Sequence, residues 1–428
     1  MLLSGARYAL PRLLLCFLAL PLLAGCGGAE EFHGYRIKVN YSVDDPQFRR
    51  AMSHLLGPPL EGGNKITPLR NGDEIFPSML EAIRGAKSTI NFETFIYWSG
   101  DIGEAFTEAL CDRAKAGVKV RILFDAIGSS KIDQDYVKRL RDCGVQMIAY
   151  HALSWYDFSS DRHINNRTHR KLLIVDGKIG FTGGVGIADE WSGHAQDKDH
   201  WRDMHYRVEG PAVAQLQSAF LDNWIKNTGQ VLHAEPYFPP LEQVGDCDAQ
   251  VFKSGSAGGG ESMELLFLLS LATAKKDIRI GNAYFIPDDQ TIDALIAASK
   301  RGVRVRIIVP GPHLDVDVVG EASRGSWGKL LKEGVEIYEY QPTMYHTKLM
   351  IIDDAWVSVG SSNMDNRSFR LNDEANLNVL NKDFAAGQIK VFEDDIAQSK
   401  QYTYEDWKHR PWWQRFTESF AQIISPLL

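Results

Sequence analysis

The chain has 428 residues, 44% of them hydrophobic and 24% charged, which is enough apolar material for two ordinary folded domains and excludes a disordered polyelectrolyte. Its formal net charge is -8 and no long run of Lys or Arg interrupts it. A nucleic acid is therefore disfavoured as the main partner, because little positive charge is gathered to neutralise its backbone.

The first 26 residues read as an export signal. Arg7 and Arg12 supply a short basic region, residues 13–23 form an apolar stretch too short to span a bilayer, and Leu23-Ala24-Gly25-Cys26 closes it with small residues before a cysteine. This box is similar to that of exported bacterial lipoproteins. The similarity implies loss of residues 1–25, acylation of Cys26, and a mature protein anchored in the cell envelope on the exported side. Residues 26–64 are then expected to be a linker. Of the later cysteines, Cys111, Cys143 and Cys247, none has the paired spacing of a metal site. One pair could oxidise in an exported compartment, and the sequence does not choose it.

From residue 65 onward an internal duplication organises the chain. An aromatic-bearing strand is expected from Ile90 to Tyr97 and again from Ile278 to Ile286. A helical stretch follows each. The first ends in Lys115-Ala116-Gly117 and feeds Val118-Lys119-Val120-Arg121-Ile122, and the second ends in Lys300-Arg301-Gly302 and feeds Val303-Arg304-Val305-Arg306-Ile307. Strand, helix, strand order argues for two α/β units with largely parallel strands. Further on, Leu172-Leu173-Ile174-Val175-Asp176-Gly177 and Leu349-Met350-Ile351-Ile352-Asp353-Asp354 are apolar β runs that stop at tight-turn residues. A second strand follows each, so both are hairpins. The lobes are placed at residues 65–235 and 249–428, with the turn-rich 236–248 as connection. Gly255 to Gly260 lacks the Lys-Ser/Thr ending of a phosphate loop and is expected to be a plain loop before a helix starting at Met263.

Each hairpin is preceded by a His and a Lys at positions i and i+2, His169 with Lys171 and His346 with Lys348. In an extended chain that spacing puts both side chains on one face and sends Arg170 or Thr347 to the other. An imidazole beside an ammonium suits a phosphate. One such motif is weak evidence; two, each before the same hairpin of a repeated lobe, make chance a poor explanation. His194, His200 and His205 are scattered and are expected on loops or strand faces, not around a metal.

His169-x-Lys171-x4-Asp176 and His346-x-Lys348-x4-Asp353 resemble the paired motifs of the phospholipase D superfamily, and more narrowly those of bacterial cardiolipin synthases. The likeness extends through Gly360-Ser361, Asn363, Asp365, Arg367-Ser368 and Asn372-Asp373-Glu374 in the second half. In the first half Gly183-Gly184, Asp189-Glu190 and Trp201-Arg202-Asp203 carry it, and Arg410-Pro411-Trp412-Trp413 carries it in the tail. The resemblance implies two pseudo-repeated α/β/α sandwich lobes with a shared active site at their interface. It also implies a metal-independent, two-step displacement through a phosphohistidine, with no cofactor. His169, Lys171, Asp176, His346, Lys348 and Asp353 form the catalytic set, with His169 as nucleophile and His346 as acid and base. Asp176 and Asp353 sit at the hairpin turns and are expected to fix them more than to touch substrate. Asp203 and Glu374, each in the strand after its motif, are the candidates for orienting the imidazoles. Asn363 is a phosphate-binding amide. The first copy departs from the pattern, since Gly186 stands where the family has Asn, and a donor is lost on that side.

The expected reaction is transfer of a phosphatidyl group onto a hydroxyl of phosphatidylglycerol. A hydrolytic phospholipase D, an exported nuclease and an inactive lipid-binding lipoprotein are the alternatives. Phospholipids and a membrane surface are the expected partners. In the tail, Trp412, Trp413, Phe416, Phe420, Ile423 and Ile424 recur at helical spacing, a stripe that fits either a core or a membrane surface.

Overall fold

In the computed structural model, which describes residues 34–151, 166–255, 262–412, 414–415 and 417–418, fifteen strands form one sheet. The export signal with Cys26, most of the Gly255–Gly260 loop, and Trp413, Phe416, Phe420, Ile423 and Ile424 lie outside the described residues. Residues 37–428 form one compact unit.

The first lobe contributes β1 (Glu61–Arg70), β2 (Thr89–Thr94), β3 (Lys119–Asp125), β4 (Gln146–Tyr150), β5 (Leu172–Val175), β6 (Ile179–Gly183) and β7 (Met204–Glu209). The second contributes β8 (Cys247–Ser254), β9 (Asp277–Asn282), β10 (Arg304–Pro310), β11 (Glu336–Tyr340), β12 (Lys348–Ile352), β13 (Trp356–Gly360), β14 (Glu374–Leu380) and β15 (Ser399–Tyr402). Across the sheet the order is β15-β11-β10-β9-β12-β13-β14-β8-β1-β7-β6-β5-β2-β3-β4. Reading outward from the central β8–β1 pair, each half repeats the other, and β15 is an addition to the second edge.

The sheet is mixed, which corrects the expectation of largely parallel strands. Only β2, β3, β4 and their counterparts β9, β10, β11 run parallel; the hairpins force antiparallel pairing on β5, β6, β7 and on β12, β13, β14. The aromatic-bearing strands are shorter than their apolar runs. After Thr94 and Asn282 the chain leaves the ladder, and Tyr97 and Phe285 make isolated parallel bridges to Ile187 and Met364.

Helices cover both faces. They are α1 (Pro46–Leu55), α2 (Asn71–Gly85), α3 (Asp101–Lys115), α4 (Gln134–Asp142), α5 (Val213–Thr228), α6 (Met263–Thr273), α7 (Asp289–Lys300), α8 (Asp317–Lys332), α9 (Asn366–Arg370), α10 (Lys382–Ile396) and α11 (Tyr404–Lys408). One apolar core spans both lobes, with Leu172, Phe220 and Trp224 joined to Val251, Leu349, Leu377 and Phe392. A second lies on the other face of the first lobe around Phe76, Phe92, Phe106 and Trp191.

Residues 46–55 are not linker. Asp45 caps α1 by accepting the Gln47 amide at 2.7 Å, Pro46 fits the first turn, and Phe48 and Met52 are buried four residues apart. Phe48 packs edge-on against Trp356 of β13 with ring centres 5.0 Å apart. The proposed connection is likewise packed, because the amides of Val244 and Gly245 both donate to the Gly63 carbonyl of β1. Cys111 and Cys143 form a disulfide between α3 and the end of α4, and Cys247 is a buried free thiol. Among the described residues no helix is long and apolar enough to cross a membrane.

Candidate active site

Both hairpins turn on residues with positive φ, Asp176 (52°) with Gly177 (64°) and Asp353 (49°) with Asp354 (57°). Paired left-handed residues match the strand twist, and Asp tolerates the conformation. The Asp176 carboxylate accepts the backbone amides of Lys87, Ser88 and Thr89 and the Ser88 hydroxyl at 2.7–2.9 Å. Asp353 accepts those of Lys275, Lys276 and Asp277 at 2.7–3.0 Å. Both motif aspartates are thus engaged at the turns. Their oxygens tie each turn to the start of the neighbouring antiparallel strand, β2 or β9, and their hydrogen bonds go to backbone amides and the Ser88 hydroxyl.

The histidines lie where the two lobes exchange backbone hydrogen bonds. The His169 amide donates to the Asp373 carbonyl at 2.9 Å, and the Asp373 amide donates to Arg167 at 2.9 Å. Likewise the His346 amide donates to Arg202 at 2.8 Å, and the Arg202 amide to Met344 at 2.9 Å. These bridges bring each motif beside the carboxylate of the opposite lobe. His169 Nδ1 lies 3.0 and 3.1 Å from the Glu374 oxygens, and His346 Nδ1 lies 2.7 Å from Asp203 Oδ2. A carboxylate only accepts, so Nδ1 carries the proton of the neutral ring and the lone pair lies on Nε2.

Two buried arginines of the first lobe lock this arrangement. Arg170, which points away from the site as expected, donates to the carbonyls of Glu374, Ala219 and Ser254 and pairs with Asp222. Arg202 pairs with Asp395 of α10 at 2.9–3.0 Å, and both side chains are only 1% exposed. Thr347, between His346 and Lys348, is buried together with its hydroxyl.

The lysines take matching positions. Lys171 Nζ donates to the His169 carbonyl at 2.8 Å and Lys348 Nζ to the His346 carbonyl at 2.7 Å. Lys348 Nζ is also 3.1 Å from His346 Nε2. Burial pushes both ammonium groups down, Lys171 to about 7 and Lys348 to about 8, with the Glu374 and Asp203 charges opposing it. Burial also lowers His169 to about 4, so its imidazole is neutral near pH 7. Against the cost of its burial, the hydrogen-bonded His169 ring, the Lys171 ammonium and the Ser361 hydroxyl hold Glu374 near 2. His346 is lowered by burial and by Lys348, with Asp203 pulling the other way.

Three further side chains belong to the site. Ser361 and Ser368 Oγ both donate to Glu374, the latter at 2.8 Å, and Trp191 Nε1 donates to Asp203 Oδ2 at 2.9 Å. The two serines lie within the second motif block, but nothing in their spacing names a partner; Trp191 carries no local signal at all. Asn363 is buried and its Oδ1 has no hydrogen-bond partner. His194 and His200 are paired at the surface with Asp73 and Asp197, and His205 is buried on β7. Among the described residues no group of His, Cys, Asp and Glu could hold a metal ion.

The family model described as "Cardiolipin synthase, PLD-like domain" matches residues 79–224 and 268–396, each segment holding one complete motif. The chain belongs to the cardiolipin synthase family of phospholipase D-like enzymes. Cardiolipin synthase of Alkalihalophilus pseudofirmus is 36% identical over 380 residues, 88% of this chain and 75% of its own. Cardiolipin synthase 2 of Bacillus cereus is 36% identical over 362 residues, 84% of this chain and 70% of its own. Phosphatidylserine synthase of Haemophilus influenzae shares the fold, with a TM-score of 0.68 over 89% of this chain and 99% of that one at 15% identity.

Proposed function

We propose that this enzyme is a phosphatidyltransferase that makes cardiolipin, moving a phosphatidyl group through a phosphohistidine onto a hydroxyl of phosphatidylglycerol. The observation that carries this reading is the pair of buried imidazoles, each held by a carboxylate of the opposite lobe and each beside a lysine, in a chain of this family. His169 Nε2 attacks phosphorus, the bond to the leaving alcohol breaks, and His346 gives that oxygen its proton. When both substrates are phosphatidylglycerol, the alcohol is glycerol. His346 then takes the proton of the acceptor hydroxyl, the new oxygen attacks phosphorus, and the bond to His169 breaks. The neutral state of His169 supports it as the nucleophile. An arriving phosphodiester anion favours the protonated form of His346. Lys171 and Lys348 offset charge on the non-bridging oxygens, and Asn363 can turn its NH2 toward one of them.

Mass spectrometry of lipids from cells with and without the gene tests the reading. Cardiolipin that depends on the gene and on His169 supports transfer. Phosphatidic acid without cardiolipin makes water the acceptor and overturns it, as does an unchanged lipid profile.

For location, the reading is an envelope lipoprotein acylated at Cys26. The residues ahead of Cys26 support it, and a Cys111–Cys143 disulfide fits an oxidising compartment. Fatty-acid label should enter the wild type and not Cys26→Ser; equal label in both, or none in either, rejects the assignment.

A further inference from the structure

The repeat fixes which residues of the two lobes correspond. The bridges Tyr97 to Ile187 and Phe285 to Met364 make Ile187 the counterpart of Met364. Counting from them, Gly186 matches Asn363, Gly184 matches Ser361 and Trp191 matches Ser368. Trp191 and Ser368 do the same work with different chemistry, since each donates to the carboxylate that holds a catalytic imidazole, Asp203 or Glu374.

Gly186 borders the indole and Gly184 borders the carboxylate it serves. A Cβ on Gly186 would lie 2.8 Å from Ile96 Cβ and 3.2 Å from Trp191 Cζ3, and a Cβ on Gly184 would lie 2.3 Å from Asp203 Oδ1. A side chain at 186 would therefore displace Ile96 and press on the edge of the indole at 191. Trp191 is 1% exposed and lies edge-on to His346, with ring centres 5.3 Å apart. Trp201 packs on both, 5.4 Å from His346 and 4.6 Å from Trp191. His346 Nδ1 and Trp191 Nε1 converge on the same oxygen, Asp203 Oδ2.

We propose that Trp191 is a positioning residue for His346, acting through Asp203, and that Gly186 is the space this device needs rather than a lost phosphate ligand. The indole donates and cannot accept, so it fixes Asp203 in one orientation and draws off part of its negative charge. The Met204 amide holds the other oxygen at 2.8 Å. Besides Asp203, the charged groups acting on His346 are Lys348 at the start of β12 and Asp315 from the loop after β10.

This inference rests on the reading of His346 as acid and base, and the test separates the two. In Trp191→Phe, Asp203 loses a donor and holds the imidazolium more strongly. The His346 titration, followed by NMR on the 15N-histidine-labelled full chain in detergent micelles, should move to higher pH while that of His169 stays. Glycerol release from phosphatidylglycerol should fall in kcat by about tenfold with KM unchanged, as expected for loss of one hydrogen bond to a buried charge. Trp201→Phe removes packing but no bond to Asp203, and should leave the His346 titration in place. If Trp191→Phe does not fold, benzothienylalanine at position 191 keeps the ring shape without the N–H and should give the same shift. An unshifted His346 in the folded variant, or a kcat loss matched by Trp201→Phe, overturns the proposal. A wild type that releases no glycerol overturns the transferase reading instead, and the titration still decides the role of Trp191.

Discussion

The two halves of the site agree on their strands and differ in their turns. His169 with Lys171 and His346 with Lys348 enter β5 and β12 in the same way, and Asp176 and Asp353 make the same closure. After β6 and β13 the halves part. Glu374 is served by two serine hydroxyls, whereas Asp203 is served by one indole and one backbone amide in a pocket walled by Trp191 and Trp201. Strand positions set where the reacting atoms sit, so both copies keep them. Turn positions set how strongly each carboxylate pulls on its imidazole, and one site needs a neutral base and a proton donor together.

The largest expected effect would break the symmetry outright. His169→Ala and His346→Ala should each lower kcat by about 10^4-fold or more, and the double variant should be little worse, because groups in one mechanism are not additive. Half the wild-type rate in each single variant would mean two independent sites. On a substrate whose leaving group needs no proton, His346→Ala should accumulate the phosphohistidine and His169→Ala should not.

Next in size are the carboxylates, where crossing between lobes makes an unusual prediction. Glu374→Gln, although in the second lobe, should slow formation of the adduct on His169, and Asp203→Asn, in the first lobe, should slow its breakdown through His346. About 10^2- to 10^4-fold is expected for each, since an amide can hold the ring in the wrong tautomer. Single-turnover kinetics that assign each loss to the histidine of the same lobe would refute the crossed pairing.

The pH profile sharpens the comparison further. His169 attacks only when neutral, so kcat/KM should rise as pH passes about 4. His346 must start protonated and the lysines act only when charged, so kcat/KM should fall as pH rises, first with His346, which burial and Lys348 lower, and then through about 7 for Lys171 and about 8 for Lys348. An acid limb at the ordinary histidine value would show that His169 is solvated in the working enzyme.

Much of this was legible because duplication repeats a weak local signal. The apolar runs before Asp176 and Asp353, and the His and Lys at i and i+2, gave the hairpins and the reacting groups. Asp203 and Glu374 were legible as orienting carboxylates, but which imidazole each holds was not, because Glu374 reaches His169 only through the backbone pairing of His169 with Asp373, a contact between residues about half the chain apart. Trp191 stayed silent for the same reason. The helix at Pro46–Leu55 had a readable start in Asp45-Pro46 and a readable face in Phe48 and Met52, but no counterpart in the repeat points to it. Strand direction failed differently: helix-linked strands gave the parallel pairs, and the hairpins reversed the rest.

The smallest expected effect tests the shared part of the two halves. Asp176→Asn and Asp353→Asn keep a residue that tolerates positive φ, so the turn itself survives. What is lost is an oxygen acceptor, leaving at least one part-buried amide of the 87–89 or 275–277 segment with a poorer partner. Each variant should lose about 1–2 kcal/mol of stability, with Asp176→Asn the worse because Asp176 also holds the Ser88 hydroxyl. Hydrogen bonds from those amides hold Asp176 below the ordinary aspartate range, so its stabilisation is full above the unfolded value and is lost as pH falls through the folded one. The gap between wild type and Asp176→Asn in denaturant unfolding should therefore be widest near neutral pH and narrow in acid. Turnover per folded molecule should stay near wild type in both. A stable Asp353→Asn with kcat lowered by about 10^2-fold would return the motif aspartates to the chemistry, at a level typical of a lost transition-state donor.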